Sequence, residues 1–214
     1  MKINEYAELN IKQTNAEIDG FSLRRYVQFF KNFAKGDRKV LDVGCNIGRG
    51  GQVLKNADPN LELTGLDVVE ERISRIPQGI YQRLIVSTAD TIDVADNTFD
   101  DAVAGEVIEH IHPDDVPNVV QELKRVLKPG GRLLLTTPNP RAILVLLGRD
   151  RVLKDPTHIS IMTPDVLRKK LRDAGFEKIR IKGSGKMSRY LPDYFPLLTV
   201  FGSYLAIARK PAFA

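Results

Sequence analysis

Short apolar runs alternate with segments of helical period along most of the chain, and this alternation constrains the fold more than any other feature. Strands separated by helices require crossover connections, which produce a mainly parallel sheet covered on both faces. The loop at residues 183–197 has no clear helical period, which indicates an antiparallel final strand. The sequence therefore predicts an α/β fold: a seven-stranded, mostly parallel sheet with helices on both faces and an antiparallel last strand. The predicted strands are residues 39–43, 61–66, 81–86, 99–104, 132–137, 176–182 and 198–209.

Helical period is clearest in three segments between these runs. Residues 15–33 and 116–127 carry apolar side chains at helical spacing, and the Pro-Gly-Gly sequence at 129–131 is predicted to stop the second helix. Thr163 is a suitable N-cap for a third helix. On that helix we expect Val166 to lie on the buried face.

The length and composition are those of one globular domain. The 214 residues are 43% hydrophobic and 28% charged, which excludes a disordered chain or a fibre. We expect a single domain over residues 1–214, in which residues 1–36 form an N-terminal helical segment. The loops at 138–163 and 183–197 are candidates for a lid over a binding site.

Charge and targeting signals narrow the class of protein further. The formal net charge of +5 comes from 32 cationic and 27 anionic residues that are not clustered, so a nucleic-acid partner is not expected. The polar N-terminus does not resemble a secretory signal, and the longest apolar run, residues 142–147, is too short to span a bilayer. A single cysteine fits a reducing compartment. We therefore expect a cytoplasmic protein without a membrane span.

Three carboxylates are predicted at the ends of the first three strands. Asp42 opens a glycine-rich turn that runs to Gly51, Asp67 ends the second strand, and Asp90 follows the third. In a parallel sheet these ends meet at one edge, where a carboxylate can accept both hydroxyls of a ribose. Glycines in the turn let a ligand approach main-chain N–H groups. Each acid alone would equally suit a helix cap, but the three together favour a nucleoside ligand.

Five segments occur in order between Lys39 and Asn139: VLDVGCNIGRG, GLDV, the stretch around Asp90, FDDAVAGEVIEHI and LKPGGRLLLTTPN. In sequence and spacing they resemble the class I S-adenosylmethionine-dependent methyltransferases, in particular the small-molecule branch with methyltransferase type 11 and the ubiquinone-pathway O-methyltransferases. The resemblance implies a Rossmann-like fold and S-adenosylmethionine as the cofactor. It also implies methyl transfer to a small-molecule acceptor, with oxygen favoured over nitrogen or carbon.

The resemblance further implies which residues bind the cofactor. The turn from Gly44 to Gly48 would hold the methionine part. Asp67 would accept from the ribose hydroxyls, and Asp90 from the adenine amino group. An arginine that binds the methionine carboxylate in the ubiquinone-pathway enzymes matches Arg24. The implied cofactor-binding set is Asp42, Gly44, Cys45, Asn46, Gly48, Asp67, Val68, Asp90, Thr91, Ile92, Gly105, Glu106 and Arg24.

Asn46 stands where the family usually has a glycine. Asparagine tolerates unusual backbone angles better than most residues, so we expect the pocket to survive this change. The same residue argues against a nicotinamide-dependent dehydrogenase. The G-x-G-x-x-G turn of those enzymes needs a glycine at this position, because a pyrophosphate approaches the backbone closely there.

Two histidines are candidates for catalysis. Methyl transfer to an oxygen gains from a general base that takes the hydroxyl proton, and His110 and His158 each lie between a predicted strand and the following helix. We assign the base to His158. The alternative is that its side chain only holds its loop through a hydrogen bond.

The segment Glu106-Val107-Ile108-Glu109-His110 is similar to the E-x-x-E-H segment of the ubiquinone-pathway O-methyltransferases, in which those residues can hold a divalent cation. The resemblance therefore implies a metal site formed by Glu106, Glu109 and His110. The alternative is that these residues cap the following helix, because the segment also occurs in family members with no known metal. We expect the second arrangement.

Residues 141–151 place an apolar stripe between cationic residues. Three roles are open for it: a helix packed on the core, a lid over the acceptor, or a contact with a membrane surface. We expect core packing.

An RNA or protein methyltransferase is the alternative to a small-molecule enzyme, and a cofactor-binding relative without turnover is another. Lys178, Arg180 and Lys182 would suit RNA, but few aromatic residues accompany them. Asn139-Pro140 is followed by Arg141 and lacks the aromatic residue of the N-P-P-Y motif of base-methylating enzymes, which disfavours a base amine as acceptor. The sequence does not indicate an oligomeric state.

Overall fold

A seven-stranded sheet runs through the part of the chain that the computed structural model describes, which is residue 8 and residues 23–36, 38–149 and 155–212. In chain order the strands are β1 (Lys39–Val43), β2 (Glu62–Asp67), β3 (Arg83–Val86), β4 (Phe99–Gly105), β5 (Leu127–Pro138), β6 (Glu177–Ser184) and β7 (Ser203–Arg209). Across the sheet their order is β3-β2-β1-β4-β5-β7-β6. β7 is antiparallel to β5 and β6, and the other neighbouring pairs are parallel. The predicted fold is confirmed.

The chain reverses its direction across the sheet after β3. The first three strands progress toward one edge, whereas β4 and β5 progress toward the other. The crossover connections on the two sides of the β1–β4 pair therefore diverge. In an open sheet of this kind, that divergence leaves a crevice beyond the carboxyl ends of the strands, where ligands bind.

Helices cover both faces of the sheet. They are α1 (Arg24–Lys31), α2 (Arg49–Ala57), α3 (Glu70–Ile73), α4 (Val116–Val126), α5 (Ile143–Leu146) and α6 (Pro164–Asp173), with short 3-10 helices at Ile108–His110, Lys186–Arg189 and Leu198–Val200. One core joins α4 and α6 to the sheet through Leu123 and Leu171, and a second joins α1 and α2 through Phe29 and Leu54. All four side chains are at most 2% exposed, and burial of each stabilises the fold by about 1.5–3 kcal/mol.

The first helix is described only in part. α1 spans Arg24–Lys31, whereas the sequence predicts a helix over residues 15–33. Residues 15–22 of that prediction lie outside the described residues. The helix ends with Asn32 as its C-cap, shortly before Gly36, which has a φ of 93°.

The Pro-Gly-Gly sequence at 129–131 follows the end of a helix, as predicted, but it also belongs to a strand. α4 already ends at Val126, and the Pro-Gly-Gly sequence lies within β5. Here the pairing of β4 with β5 shifts register between Phe99 and Asp101. A Cβ at Gly131 would lie 2.9 Å from backbone carbonyl oxygens, so only glycine permits this close approach. The predicted helix at 116–127 is thus confirmed to within one residue, whereas the strand begins at Leu127 and not at residue 132, because the Pro-Gly-Gly sequence forms an irregularity inside it.

α6 begins where the sequence predicts, but its buried face is different. The side chain of Thr163 accepts from the N–H of Val166 at 3.4 Å, so the N-cap is confirmed. Leu167 and Leu171 are fully buried, whereas Val166 is 45% exposed. Residues four positions apart share a helix face, but adjacent residues point about 100° apart. The expected burial of Val166 is therefore wrong.

The apolar stripe after β5 does not pack on the core. Its side chains in and beside α5 are at least half exposed, namely Ile143, Leu144, Leu146 and Leu147. The expectation that residues 141–151 pack on the core is wrong for this helix, and residues 150–151 lie outside the described part. Among the described residues, no helix combines the length and the apolar character that crossing a membrane requires.

Candidate functional site

A crevice opens at the carboxyl ends of β1, β2, β3 and β4, on both sides of the point where the strand order reverses. Neighbouring strands are about 4.8 Å apart, so four strand ends span roughly 14 Å. The walls combine polar groups from the strand ends with apolar side chains such as Val107 and Ile111. The predicted site residues that line it are Gly44, Asn46, Asp67, Val68, Asp90, Gly105, Glu106 and His110.

Backbone hydrogen bonds hold the glycine-rich turn against the end of β2. The N–H groups of Gly44 and Cys45 donate to the carbonyl oxygen of Leu66 at 2.8 and 3.0 Å. Gly44 has a φ of 70°, and a Cβ there would lie 2.5 Å from Val107 Cγ2. Asn46 has a φ of 51°, an angle that asparagine tolerates. The turn therefore keeps a left-handed conformation at this position without the family's glycine.

Asp67 lies at the end of β2 with both carboxylate oxygens held by main-chain groups. Oδ2 accepts from the N–H of Asn46 and Oδ1 from the N–H of Val69, each at 2.9 Å. The residue is only 5% exposed and lines the crevice. A carboxylate oxygen has two lone pairs, so each oxygen keeps one accepting position. Two neighbouring hydroxyls on a ligand would match this arrangement.

Two buried carboxylate oxygens in the crevice have no hydrogen-bond partner among the described residues. They are Oδ1 of Asp90, which follows β3, and Oε1 of Glu106, which follows β4. Arg25 Nη1 lies 3.9 Å from Glu106 Oε1, which is beyond hydrogen-bond distance. A buried acceptor without a donor costs about 1–3 kcal/mol. Both positions therefore favour a ligand that brings hydrogen-bond donors.

Glu106 has a backbone conformation that is costly for a residue with a side chain. Its φ is 58°, and its N–H donates to the carbonyl oxygen of Thr136 at 3.0 Å. Left-handed non-glycine residues cost about 1–3 kcal/mol and persist where the surrounding structure enforces them, often at ligand sites. This conformation places Glu106 in the crevice wall.

The other predicted cofactor residues lie outside the lining of the crevice: Asp42, Cys45, Gly48, Thr91, Ile92 and Arg24. Cys45 and Ile92 are buried, at 2% and 3% exposed. Gly48 is the N-cap of α2, and Thr91 is exposed to solvent. None of these residues therefore faces the crevice directly in this structure: some are buried beneath its loops, and the others lie on the outer side.

Arg25, and not Arg24, is the arginine of α1 that approaches the crevice. Arg25 approaches Glu106 and also lies close to Gly105. A Cβ added at Gly105 would be only 2.8 Å from Cδ of Arg25. Arg24 points about 100° away, since the two residues are adjacent on a helix. A signal was present in the sequence, because Arg25 shares a helix face with Phe29, four residues later, which is fully buried.

Asp42 is fully buried beneath the turn and joins two tyrosines. The hydroxyl of Tyr26 donates to Oδ1 at 3.0 Å, and the hydroxyl of Tyr81 donates to Oδ2 at 2.6 Å. Burial raises the pKa of Asp42 to about 7, although both tyrosine hydrogen bonds act to lower it. A Cβ at Gly50 would overlap the Tyr26 ring, and one at Gly51 would overlap the Tyr81 ring. Asp42 thus supports the turn from behind.

Asp42→Asn is expected to flatten the pH dependence of stability. The carboxyl has a pKa of about 4 when unfolded and about 7 when folded, so the folded state favours the protonated form. The free energy of unfolding therefore falls as pH rises from about 4 to about 7, by up to about 4 kcal/mol from this group. Asparagine cannot ionise, and a tyrosine hydroxyl can accept from its amide. Urea unfolding of both proteins across this pH range measures the difference. If the free energy of unfolding changes equally with pH in both proteins, the raised pKa of Asp42 is contradicted.

Glu109, His110 and His158 come together beside the crevice. One nitrogen or oxygen from each lies within 4.8 Å of those of the other two, and the imidazole centroids are 4.7 Å apart. Nδ1 of His110 lies 3.0 Å from the carbonyl oxygen of Thr157; the oxygen only accepts, so Nδ1 carries the proton of the neutral ring. Burial, followed by the neighbouring His158, lowers the pKa of His110 to about 4. His110 is therefore neutral near pH 7.

Glu109 is fully buried beneath these imidazoles. Its Oε2 accepts from Thr137 Oγ1 at 3.0 Å, while Oε1 has no hydrogen-bond partner within the described ranges. Burial, and then the nearby Glu106, raises the pKa of Glu109. The metal set implied by the sequence was Glu106, Glu109 and His110, but the residues brought together include His158 in place of Glu106. No local sequence pattern connects His158 to this group, because only the loop after β5 brings it there.

Comparison with known proteins places this architecture in a family. A family model described as "Methyltransferase domain" matches residues 16–181. The chain is 32% identical over 157 residues to phosphoethanolamine N-methyltransferase 3 of Arabidopsis thaliana. The aligned region covers 68% of this chain and 30% of that protein. It is also 32% identical over 160 residues to the ubiquinone biosynthesis O-methyltransferase of Dinoroseobacter shibae. Here the aligned region covers 68% of this chain and 62% of that protein. The chain thus spans less than two thirds of either relative.

A solved structure shows the same fold. The crystal structure of an S-adenosylmethionine-dependent methyltransferase from Archaeoglobus fulgidus has a TM-score of 0.67 to this chain at 24% identity, over 88% of this chain and 91% of that one. This likeness concerns the fold alone, whereas the family model matches well over half of the sequence. The chain therefore belongs to the class I S-adenosylmethionine-dependent methyltransferases, a family of enzymes that take the transferred methyl group from that cofactor.

Proposed function

We propose that this protein transfers the methyl group of S-adenosylmethionine to a hydroxyl oxygen of a small organic acceptor. The observation that carries the proposal is a row of groups along the strand ends, in the order Asp90, Asp67, the turn at Gly44, and Glu106. Adenine, ribose and methionine follow the same order in the cofactor. The adenine amino group would donate to Asp90 and the ribose hydroxyls to Asp67. The methionine ammonium would donate to Glu106, and Arg25 would bind the carboxylate.

The chemistry needs alignment and a proton acceptor. The acceptor oxygen bonds to the methyl carbon as the carbon–sulfur bond breaks, and sulfur keeps the electron pair. Holding the reactants in line accounts for several powers of ten in rate. We assign the hydroxyl proton to His158. His110 is too weak a base near neutral pH, since its pKa is about 4, and with Nδ1 bound to Thr157 it acts as a positioning residue.

Binding and turnover are tested separately. Isothermal calorimetry with S-adenosylhomocysteine is expected to show one site per chain. Transfer of labelled methyl to a panel of phenols, sugars and amines then identifies the acceptor, with oxygen acceptors expected to react fastest. Transfer to amines alone would contradict oxygen as the acceptor atom. Tight cofactor binding with no transfer to any member of a broad panel would favour a relative that binds the cofactor without turnover.

His158→Ala is expected to lower kcat by about 100-fold or more, because a positioned general base contributes about 10²–10⁴-fold. The dissociation constant of S-adenosylhomocysteine is expected to stay within about twofold, since His158 is not in the crevice lining. His112→Ala is the matched control, as His112 is not part of the three-residue group and should keep kcat. An equal loss in kcat and cofactor affinity, or no loss in kcat, would show that His158 is only structural.

A further inference from the structure

We propose that Tyr26 and Gln28 are positioning residues for cofactor binding: they hold α1 from two sides, so that Arg25 reaches the methionine end of the crevice. The inference rests on the proposed function, in which Arg25 binds the carboxylate of the cofactor. Tyr26 and Gln28 are not part of the crevice lining. They act through the helix that carries all three residues.

The three side chains leave α1 in different directions. Successive residues of an α-helix are about 100° apart around its axis. Tyr26 therefore lies about 100° from Arg25 on one side, and Gln28, three residues later, lies about 60° from it on the other. Contacts on both sides of Arg25 oppose rotation of the helix in either direction. The direction in which Arg25 points is thus set by what Tyr26 and Gln28 contact.

Tyr26 joins one side of α1 to β1. Its hydroxyl donates to Asp42 Oδ1 at 3.0 Å, and the residue is only 7% exposed. The ring fills the space that a Cβ at Gly50 would need. A Cβ at Gly105, the residue before Glu106, would lie 3.6 Å from the hydroxyl oxygen. Tyr26 therefore packs beside the strand end that carries Glu106.

Gln28 joins the other side of α1 to the end of β6. Its Nε2 donates to the carbonyl oxygen of Gly183 at 3.1 Å, and its Oε1 accepts from Ser184 Oγ at 2.7 Å. Asn32 lies four residues later on the same side of the helix, and its Oδ1 accepts from Lys182 Nζ at 3.2 Å. These hydrogen bonds use both polar atoms of the Gln28 amide, which fixes this side of α1 against β6.

Arg25 lies between these two anchors and beside Glu106. Its Nη1 is 3.9 Å from Glu106 Oε1, and its side chain is 21% exposed. Two opposite charges at one end of the crevice match the ammonium and the carboxylate of the methionine part. An arginine that is already held near its bound position loses less conformational freedom when the ligand binds, which raises the affinity.

Two nucleosides separate positioning from general support of the fold. 5′-Methylthioadenosine has the adenine and ribose of S-adenosylhomocysteine but lacks its amino-acid part, so wild-type protein is expected to prefer S-adenosylhomocysteine. Gln28→Met removes both amide hydrogen bonds, and Tyr26→Phe removes only the hydroxyl. By calorimetry, each variant is expected to bind S-adenosylhomocysteine about three- to tenfold more weakly and 5′-methylthioadenosine within about twofold of wild type, because a hydrogen bond has a modest net value.

Matched controls make the same chemical changes elsewhere in the chain. Gln52→Met alters an exposed glutamine of α2, and Tyr81→Phe removes the other hydroxyl that donates to Asp42. Both variants should keep the wild-type preference. Arg25→Met should lose it, and the double variant Arg25→Met/Gln28→Met should show no further loss, because Gln28 acts through Arg25.

The outcomes distinguish this inference from the proposed function. Equal weakening of both nucleosides in Gln28→Met and Tyr26→Phe, or a further loss of preference in the double variant, would overturn the positioning role. A preference lost in Arg25→Met but kept in Gln28→Met and Tyr26→Phe would also overturn it and leave the proposed function standing. Wild-type protein that binds neither nucleoside would refute the proposed function and this inference with it.

Discussion

Asp67→Asn is expected to weaken the binding of S-adenosylhomocysteine by about 100-fold. In the proposed complex, two ribose hydroxyls donate to the carboxylate that closes β2. Hydrogen bonds to a charged group contribute about 1.5–3 kcal/mol each, so losing the charge costs about 3 kcal/mol, or roughly two powers of ten in affinity. The loss is large because both oxygens are already fixed by the N–H groups of Asn46 and Val69, at 2.9 Å. The carboxylate is therefore preorganised for the sugar.

A second ligand separates this effect from a general loosening of the turn. Wild-type protein should bind S-adenosylhomocysteine much more tightly than an analogue that lacks the ribose hydroxyls, and Asp67→Asn should bind both almost equally. Asp93→Asn makes the same chemical change at a side chain that is 96% exposed, and it should behave as wild type. Unchanged affinity in Asp67→Asn, or full discrimination between the two ligands in that variant, would contradict the role assigned to Asp67.

Gly50→Ala is expected to destabilise the fold by about 3 kcal/mol or more. At an exposed position within a helix, replacing glycine by alanine stabilises the fold by about 1 kcal/mol. A loss of stability in Gly50→Ala is therefore diagnostic of crowding at this position. Here the new methyl group would overlap the ring of Tyr26. Overpacking costs about 1–3 kcal/mol, and displacing the ring leaves Asp42 Oδ1 without its donor, which adds about 1–3 kcal/mol. Urea denaturation measures the change.

A double-mutant cycle tests whether the tyrosine causes the loss. In a Tyr26→Leu background, Gly50→Ala is expected to cost less than about 1 kcal/mol, because the overlapping ring is gone. Gly79→Ala is the matched control, since Gly79 has a φ of 86° and a Cβ added there would meet no atom within 4 Å; it should cost only about 1 kcal/mol. A Gly50→Ala protein more stable than wild type would refute the packing described for Tyr26.

The sheet and the row of acidic residues were predictable because both follow from short-range patterns. Apolar runs of strand length between helical segments define the parallel sheet, and a parallel sheet brings successive strand ends to one edge. Asp67 and Asp90 directly follow such runs, so their convergence on one crevice needed no knowledge of loop paths.

The contacts that sequence reasoning missed depend on long-range packing or on helical phase. Asp42 was placed in the crevice, but Tyr26 and Tyr81 cover it from two distant segments that carry no shared motif. Likewise, the position of His158 beside Glu109 is decided by the path of a loop. The sequence match indicates Arg24, whereas Arg25, the next residue on the helix, is the one that the structure brings near Glu106.

A crystal structure with S-adenosylhomocysteine tests the central claim most directly. We expect the nucleoside in the crevice, with both ribose hydroxyls about 2.5–3.0 Å from the carboxylate oxygens of Asp67. The adenine amino group should donate to Asp90 Oδ1 and the methionine ammonium to Glu106 Oε1, the two oxygens that have no partner among the described residues. A nucleoside bound elsewhere, or bound in the crevice with the Asp67 side chain directed away from the ribose, would contradict the account.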